Sequence, residues 1–393
     1  MNNRQIFLNL IAQTSLSPLM LEIERGEGIY LYDATGKPYM DLISGISVSN
    51  VGHSHPHVVQ AVQRQAARYM HTMVYGEYIM SPQLLLADAL RKTLPQKLDN
   101  IYFVNSGSEA VEGAVKLAKR YTGRYEIISC FNAYHGSTQG ALSLAGSGEL
   151  KNAYRPLLPG VSHIRFNDVY ELSKINEKTA AVIIEPVQGE AGLRVADKDY
   201  LLKLRARCDE TGALLIFDEI QSGFGRTGTF WCFEQYDVLP DILVTAKAMG
   251  GGLPLGAFIS SKKIMHCLTH HPALGHITTY GGNPVCCAAS LAAFEVMMRE
   301  NLLLRVAEKE RSFRQYLNHP KIKEVRSKGL MIAVEFESFD ILKRIIERCL
   351  EYGVITDWFL FCNNSMRIAP PLIITDEQIE QACGLIMKAV DES

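Results

Sequence analysis

The sequence predicts an α/β fold: a large domain whose mostly parallel sheet is sandwiched by helices, plus a smaller α+β domain from the N- and C-terminal segments. Three observations predict it. Between about residues 100 and 260, short runs that are apolar throughout alternate with longer amphipathic segments. Strands with no polar face need cover on both sides, as in a parallel sheet between helix layers. The last hundred residues show strand, helix, strand and helix patterns of a different kind, and 393 residues suffice for two domains. The expected division is 1–50 in the small domain, 51–284 as the large ligand-binding domain and 285–393 completing the small one.

Taken in chain order, GIYLYDATGKPYMDL (Gly28–Leu42) reads as a hairpin turning at Ala34-Thr35-Gly36. NIYFV (Asn100–Val104) reads as a strand, and SEAVEGAVKLAKRYTG after it carries apolar residues at helical spacing. YEIISC, TAAVIIEP, ALLIFDE and PDILVTAK are the next strands. DYLLKLRARCDETG, before ALLIFDE, is an amphipathic helix ended by Gly212. Further on, VRSKGLMIAVEFES (Val325–Ser338) has a strand pattern and DILKRIIERCLEYG a helical one. RIAPPLIITDEQIEQACGLIMKAV reads as strand, loop and helix.

Composition narrows the partners. The chain is 47% hydrophobic and 21% charged, with a net charge of -2 and no basic run. Such a balance argues against nucleic acid or an anionic membrane as a partner held by bulk electrostatics. No apolar run reaches the roughly 18 residues of a membrane span. Nine cysteines without a CxxC pair suit reduced thiols, and the first residues lack a secretory pattern, so a cytoplasmic protein is expected.

In open parallel sheets, ligands bind beyond the carboxyl ends of the strands. NIYFV leads into Asn105-Ser106-Gly107-Ser108-Glu109, AAVIIE ends at Glu185, LLIF at Asp218 and DILVTA at Lys247. Ser106, Gly107 and Ser108 open a helix whose free N–H groups suit an anion such as phosphate; a plain N-cap is the alternative. A lysine directly after an apolar strand is partly desolvated, which frees its amine to form a Schiff base with a carbonyl; a solvated lysine is the alternative. An aldehyde cofactor with a pyridine ring needs such an amine, an anion cradle and a carboxylate for the ring nitrogen. Lys247, the Ser106–Ser108 loop and Asp218 meet that demand together, whereas Asp218 alone reads equally as a buried ion pair or cap. In FNAYHGST, Tyr134 and His135 offer an aromatic face for a flat ring, or simply pack a turn.

Two patterns are set aside. GFGRTG (Gly223–Gly228) is formally a dinucleotide fingerprint, but no amphipathic helix follows it. His53, His55 and His57 alternate like metal ligands, yet Pro56 interrupts them and no nearby Cys or carboxylate completes a set, so no metal is expected.

With these residues in place, the sequence resembles the class III, fold-type I aminotransferases dependent on pyridoxal 5'-phosphate. The similarity runs from about Glu24 to the C-terminus through NVGHSHP, FVNSGSEAVEGAVKLAKR, YHGST, IIEPVQGEAG, IFDEIQSGFGRTG, TAKAMGGGLPLG, TTYGGNP, GLMIAVEF and RIAPPL. The resemblance implies that Lys247 holds the cofactor by its amine and then moves the substrate proton. Asp218 would pair with the ring nitrogen, Gln221 with the ring hydroxyl, and Gly107 and Ser108, beside Ser106, with the phosphate. Tyr134 would stack on the ring next to His135, with Glu185 nearby. Thr279 would reach the phosphate across a homodimer interface, so that the active sites are shared. The implied cycle is ping-pong, the donor leaving as an aldehyde or keto product before an oxo acid collects the amino group.

Arg367 in MRIAPPL matches the family arginine for the α-carboxylate of glutamate or 2-oxoglutarate, and Glu190 in QGEAG the residue that neutralises it in the ornithine-type subgroup. These imply a donor with a terminal amine and 2-oxoglutarate as acceptor; a surface salt bridge is the plain alternative. The motif set is closest to the acetylornithine/ornithine branch, with two departures: Ser137 stands where that branch has the arginine of HGRT, and Leu16 where ornithine aminotransferases have a tyrosine. The alternatives of the same fold are an amino-acid epimerase or aminomutase and an amine:pyruvate aminotransferase.

Overall fold

The central sheet runs in the order Asn100–Val104, Gly256–Ser260, Ile242–Thr245, Leu214–Asp218, Thr179–Ile184, Glu126–Cys130 and Val161–Ile164. The structure is a computed structural model and describes residues 2–16 and 18–393. Only Gly256–Ser260 is antiparallel to its neighbours. The apolar runs form these strands because successive side chains feed two cores. Val182, Ile184, Leu215 and Phe217 lie in one, while Ala181, Ile183, Leu214 and Ile216 lie in the other. Helix Gly107–Thr122 covers the second face with Ala110, Ala114 and Leu117, and helix Lys198–Thr211 the first with Leu201, Leu204 and Cys208.

Two of the seven strands escaped the sequence reading. Val161–Ile164 is an edge strand that buries only Ile164 fully. Gly256–Ser260 follows a glycine-rich turn and starts at a residue whose Cβ would lie 2.6 Å from the Ser106 carbonyl oxygen. The single strand expected across 325–338 is instead a hairpin of Glu324–Lys328 and Met331–Glu335, because Gly329 turns the chain at φ +59. That hairpin continues through Cys362–Ile368 to Asp357–Phe359 as a four-stranded antiparallel sheet. The N-terminal hairpin pairs Tyr30–Asp33 with Pro38–Asp41, and Val354–Ile355 adds in parallel to Pro38–Asp41. Helix Pro284–Arg299 packs on helices Pro56–Arg68 and Ser81–Arg91. Among the described residues, no helix is long and apolar enough to cross a membrane.

Arg226 ties these parts together. Its fully buried guanidinium donates to the carbonyls of Leu330 (3.1 Å) and Pro370 (2.5 Å) and to Asn50 Oδ1. Arg226→Ala would strand three buried acceptors, at about 1–3 kcal/mol for each that water cannot reach. The expected result is a loss of roughly 3 kcal/mol or more, read as a lower urea midpoint with an unchanged slope.

Candidate active site

A cavity of about 430 Å³ opens at the carboxyl ends of the parallel strands, within the size range of small-molecule sites. At one end lie Ser106, Gly107 and Ser108. Ser106 caps helix Gly107–Thr122, its Oγ accepting the Glu109 N–H at 3.2 Å. Glu109 in turn accepts from the Asn105 N–H and Nδ2, both at 2.8 Å. The cap is therefore real, and it also presents the positive end of a 16-residue helix to the cavity. Ser108 Oγ accepts the Ser137 N–H at 3.2 Å. Gly136 cannot be anything larger: at φ +122, its Cβ would lie 2.1 Å from that oxygen.

Asp218 and Glu219 are adjacent carboxylates with opposite fates, because neighbouring strand residues face opposite sides. Glu219 turns inward and accepts the N–H groups of Phe233 and Cys232 at 2.7 and 2.6 Å. Burial pushes its carboxyl up to about 8 against the pull of those donors. Asp218 lines the cavity. One oxygen lies 2.7 Å from His135 Nδ1, and the other accepts the Ile220 N–H at 3.0 Å. Burial depresses His135, but the Asp218 carboxylate more than offsets it and holds the imidazole above its ordinary value. His135 thus grips Asp218, and its buried Nε2 has no hydrogen-bond partner.

Tyr134 and Glu185 also line the cavity. The Tyr134 and Gly189 N–H groups donate to Glu185 at 3.0 and 3.2 Å, and burial pushes its carboxyl up to about 7. Gln221 shares the same wall. Gly189 leaves room for it, since a Cβ there would lie 2.1 Å from Gln221 Oε1.

Lys247 enters two residues after strand Ile242–Thr245, at φ +49. A left-handed lysine costs on the order of 1 kcal/mol, strain of the kind that gathers at working sites. It lines the cavity, and desolvation holds its amine below the ordinary lysine value despite the nearby Glu190, Asp218 and Glu185 carboxylates. The depressed amine is a better nucleophile near neutral pH.

Glu190, on the cavity wall, meets Arg367 as a fork: Oε1 accepts Nη1 at 2.8 Å and Oε2 accepts Nη2 at 2.9 Å. The surface salt bridge is excluded, because both side chains are only 6% exposed. Burial raises the Glu190 carboxyl, but Arg367, Lys247 and the Leu360 N–H together outweigh it and hold the group below its usual value. The sequence reading missed Asp357, whose Oδ1 lies 3.1 Å from Arg367 Nε. No sequence signal marks it, because its approach depends on the pairing of the short strand Asp357–Phe359 with Cys362–Ile368. Thr279 is exposed and does not line the cavity within one chain; Leu16 and Ser137 are exposed as well.

The two patterns set aside earlier resolve locally. Gly223–Gly228 forms turns around Arg226, followed only by the short 3-10 segment Cys232–Gln235. His53, His55 and His57 face Asp41, Glu300 and Glu295 separately. Among the described residues, no group of three or more His, Cys, Asp or Glu is placed to hold a metal ion.

Few chemistries call for an amine held below its usual pKa, a carboxylate fixed by histidine and a helix N-terminus around one cavity. An α/β enzyme working through a phosphorylated pyridine aldehyde is such a case, and the unpartnered His135 Nε2 and the space cleared by Gly136 and Gly189 suit a polar planar group. The family described as aminotransferase class-III matches residues 11–390, and the chain belongs to it. It is 42% identical to the acetylornithine aminotransferase of Methanocaldococcus jannaschii, covering 95% of this chain and 93% of that one. The acetylornithine aminotransferase of Clostridium acetobutylicum is 37% identical, over 93% of this chain and 95% of that one. Among solved structures, ornithine aminotransferase from Toxoplasma gondii ME49 superposes with a TM-score of 0.91 at 30% identity, covering 99% of this chain and 94% of that one. A transaminase from the marine bacterium Virgibacillus gives 0.93 at 27% identity, covering 99% and 98%. The protein is thus a pyridoxal-phosphate-dependent transaminase of fold type I, acting between an amino donor and an oxo acid.

Proposed function

We propose that the enzyme moves the distal amino group of an ornithine- or acetylornithine-like donor to 2-oxoglutarate, giving an aldehyde and glutamate. The buried Glu190–Arg367 fork carries this reading. A donor reacting through a terminal amine has no carboxylate beside the reacting carbon, so Arg367 would otherwise face it as an unpaired buried cation. Glu190 supplies the missing charge. 2-Oxoglutarate brings its own carboxylate to the same fork, and Glu190 must then release it. The likeness to acetylornithine aminotransferases at 42% and 37% identity supports that donor class.

When bound, pyridoxal phosphate supplies an aldehyde to receive the amino group and a protonated ring that accepts electrons. The chain's own residues do the rest. Ser106, Gly107 and Ser108 would hold the phosphate at the helix N-terminus, and Tyr134 would cover the ring. Gln221 would meet the ring hydroxyl, with Glu185 fixing the Tyr134 backbone. Asp218, oriented by His135 and the Ile220 N–H, would keep the ring nitrogen protonated. Lys247 Nζ, its basicity lowered by desolvation, would take the proton from the donor's reacting carbon.

Thr279 would complete the phosphate site of a second copy, which makes the working unit a homodimer. The same reading takes 1–50 and 285–393 as one smaller domain beside 51–284; the pairing of Val354–Ile355 with Met40–Asp41 supports that. Nine free cysteines support a reducing, cytoplasmic setting.

Glutamate formation from 2-oxoglutarate with ornithine, acetylornithine, 4-aminobutyrate or lysine tests the proposal. Arg367→Ala should raise the 2-oxoglutarate KM roughly 100-fold, the worth of two charge-assisted bonds at the lower end of their range. An unchanged KM would remove Arg367 from the acceptor site. Turnover only with pyruvate would transfer the reading to an amine:pyruvate aminotransferase.

A further inference from the structure

Arg367 has more acid around it than its charge can balance. Glu190 occupies its Nη1/Nη2 fork, the edge that an incoming carboxylate needs. Asp357 stands opposite in the strand pairing and faces the other edge, Oδ1 to Nε 3.1 Å. Those two atoms are buried and close, yet neither makes a hydrogen bond, so the contact is one of charge rather than alignment. The Phe359 ring lies 4.7 Å from the guanidinium carbon and the Trp358 carbonyl accepts Nη2, which fixes Arg367 in place. The other charged groups facing this cluster are Asp41, which is paired with His53 at 2.9 Å, and Lys247, which faces Glu190 and Arg367.

A carboxylate that displaces Glu190 from the fork adds a negative charge and removes none. Like charges crowded into a shielded site drive one of them to take a proton. Asp357 is the acid that remains against Arg367 there. Burial pushes its carboxyl up to about 6 against the pull of Arg367, with Glu190 and Asp41 adding to the rise. Its side chain is 27% exposed, so solvent can deliver the proton.

We propose that Asp357 is the proton-taking acid of this gate: when an oxo-acid carboxylate takes Arg367 from Glu190, Asp357 takes up a proton from solvent. The inference rests on the reading of Arg367 as the acceptor site. One proton moves from water to a carboxylate oxygen of Asp357, and no other bond changes. Acceptor binding therefore weakens as pH rises above about 6, by at most about tenfold per unit.

Calorimetric titration of the holoenzyme, loaded with the amino group by a donor and then freed of that donor, with glutarate, a dicarboxylate that lacks the reacting carbonyl, tests this at neutral pH in two buffers of different ionisation enthalpy. The wild-type enzyme should take up a large fraction of one proton per site. Asp357→Asn should bind without uptake, several-fold more tightly above neutral pH, and with a flattened pH slope; a damaged fold would not gain affinity. Asp357→Glu should keep the uptake. Undiminished uptake in Asp357→Asn would assign the proton to another group of the cluster and overturn the proposal, as would wild-type binding without uptake. Absence of any wild-type binding would instead overturn the acceptor role of Arg367, and this inference with it.

Discussion

Lys247→Ala should lower transamination by on the order of 10⁴-fold or more, the combined worth of a covalent anchor and a placed general base. Among the described residues, no other lysine lines the cavity. The cation beside it, Arg367, offers hydrogen-bond donors only and is held in the Glu190 fork. Alanine would inherit the same left-handed backbone, so the fold neither gains nor loses much strain. The far-ultraviolet spectrum should stay unchanged, while the absorbance band of the bound cofactor, which in the wild type should vanish on adding donor, should be lost or shifted. A small exogenous amine should restore part of the rate, because it can carry the proton without the tether. Activity within tenfold of wild type would show that another group breaks the donor's C–H bond, and would remove Lys247 from the reaction.

That prediction could be framed from sequence because each key residue directly follows an apolar run. A strand apolar on both faces is legible, since nothing but burial on two sides explains it, and its end locates a ligand rim. Lys247, Asp218 and Glu185 were visible for that reason. Asp218 was read as the carboxylate that ends the apolar run, and strand alternation is why it faces the cavity while Glu219 faces the Cys232 and Phe233 amides. Val161–Ile164 was hidden because an edge strand need not be apolar throughout. Asp357 and Arg226 were hidden for a different reason. Their partners lie at remote positions, Arg367 for the first and Asn50, Leu330 and Pro370 for the second, and no local periodicity encodes such meetings.

Asp218→Asn changes shape least and should cost turnover on the order of 10³-fold, the scale of losing a preorganised charge from a shielded site. The amide can still accept the Ile220 N–H, but it cannot balance a protonated ring nitrogen. It also withdraws the chief support of the His135 proton. In the wild type, His135 stands above 6.5, so its contribution to stability is full below that pH and fades as pH rises through the folded value. In Asp218→Asn, burial dominates and takes the folded value below the unfolded one, so the dependence should reverse, with stability lost as pH falls, read as an inverted pH profile of the thermal midpoint. The decisive measurement is the pair. If His135 acts only by orienting Asp218, then His135→Asn combined with Asp218→Asn should lose no more than Asp218→Asn alone. Additive losses would mean that the buried imidazole, through its unpartnered Nε2, contacts the reacting system on its own account.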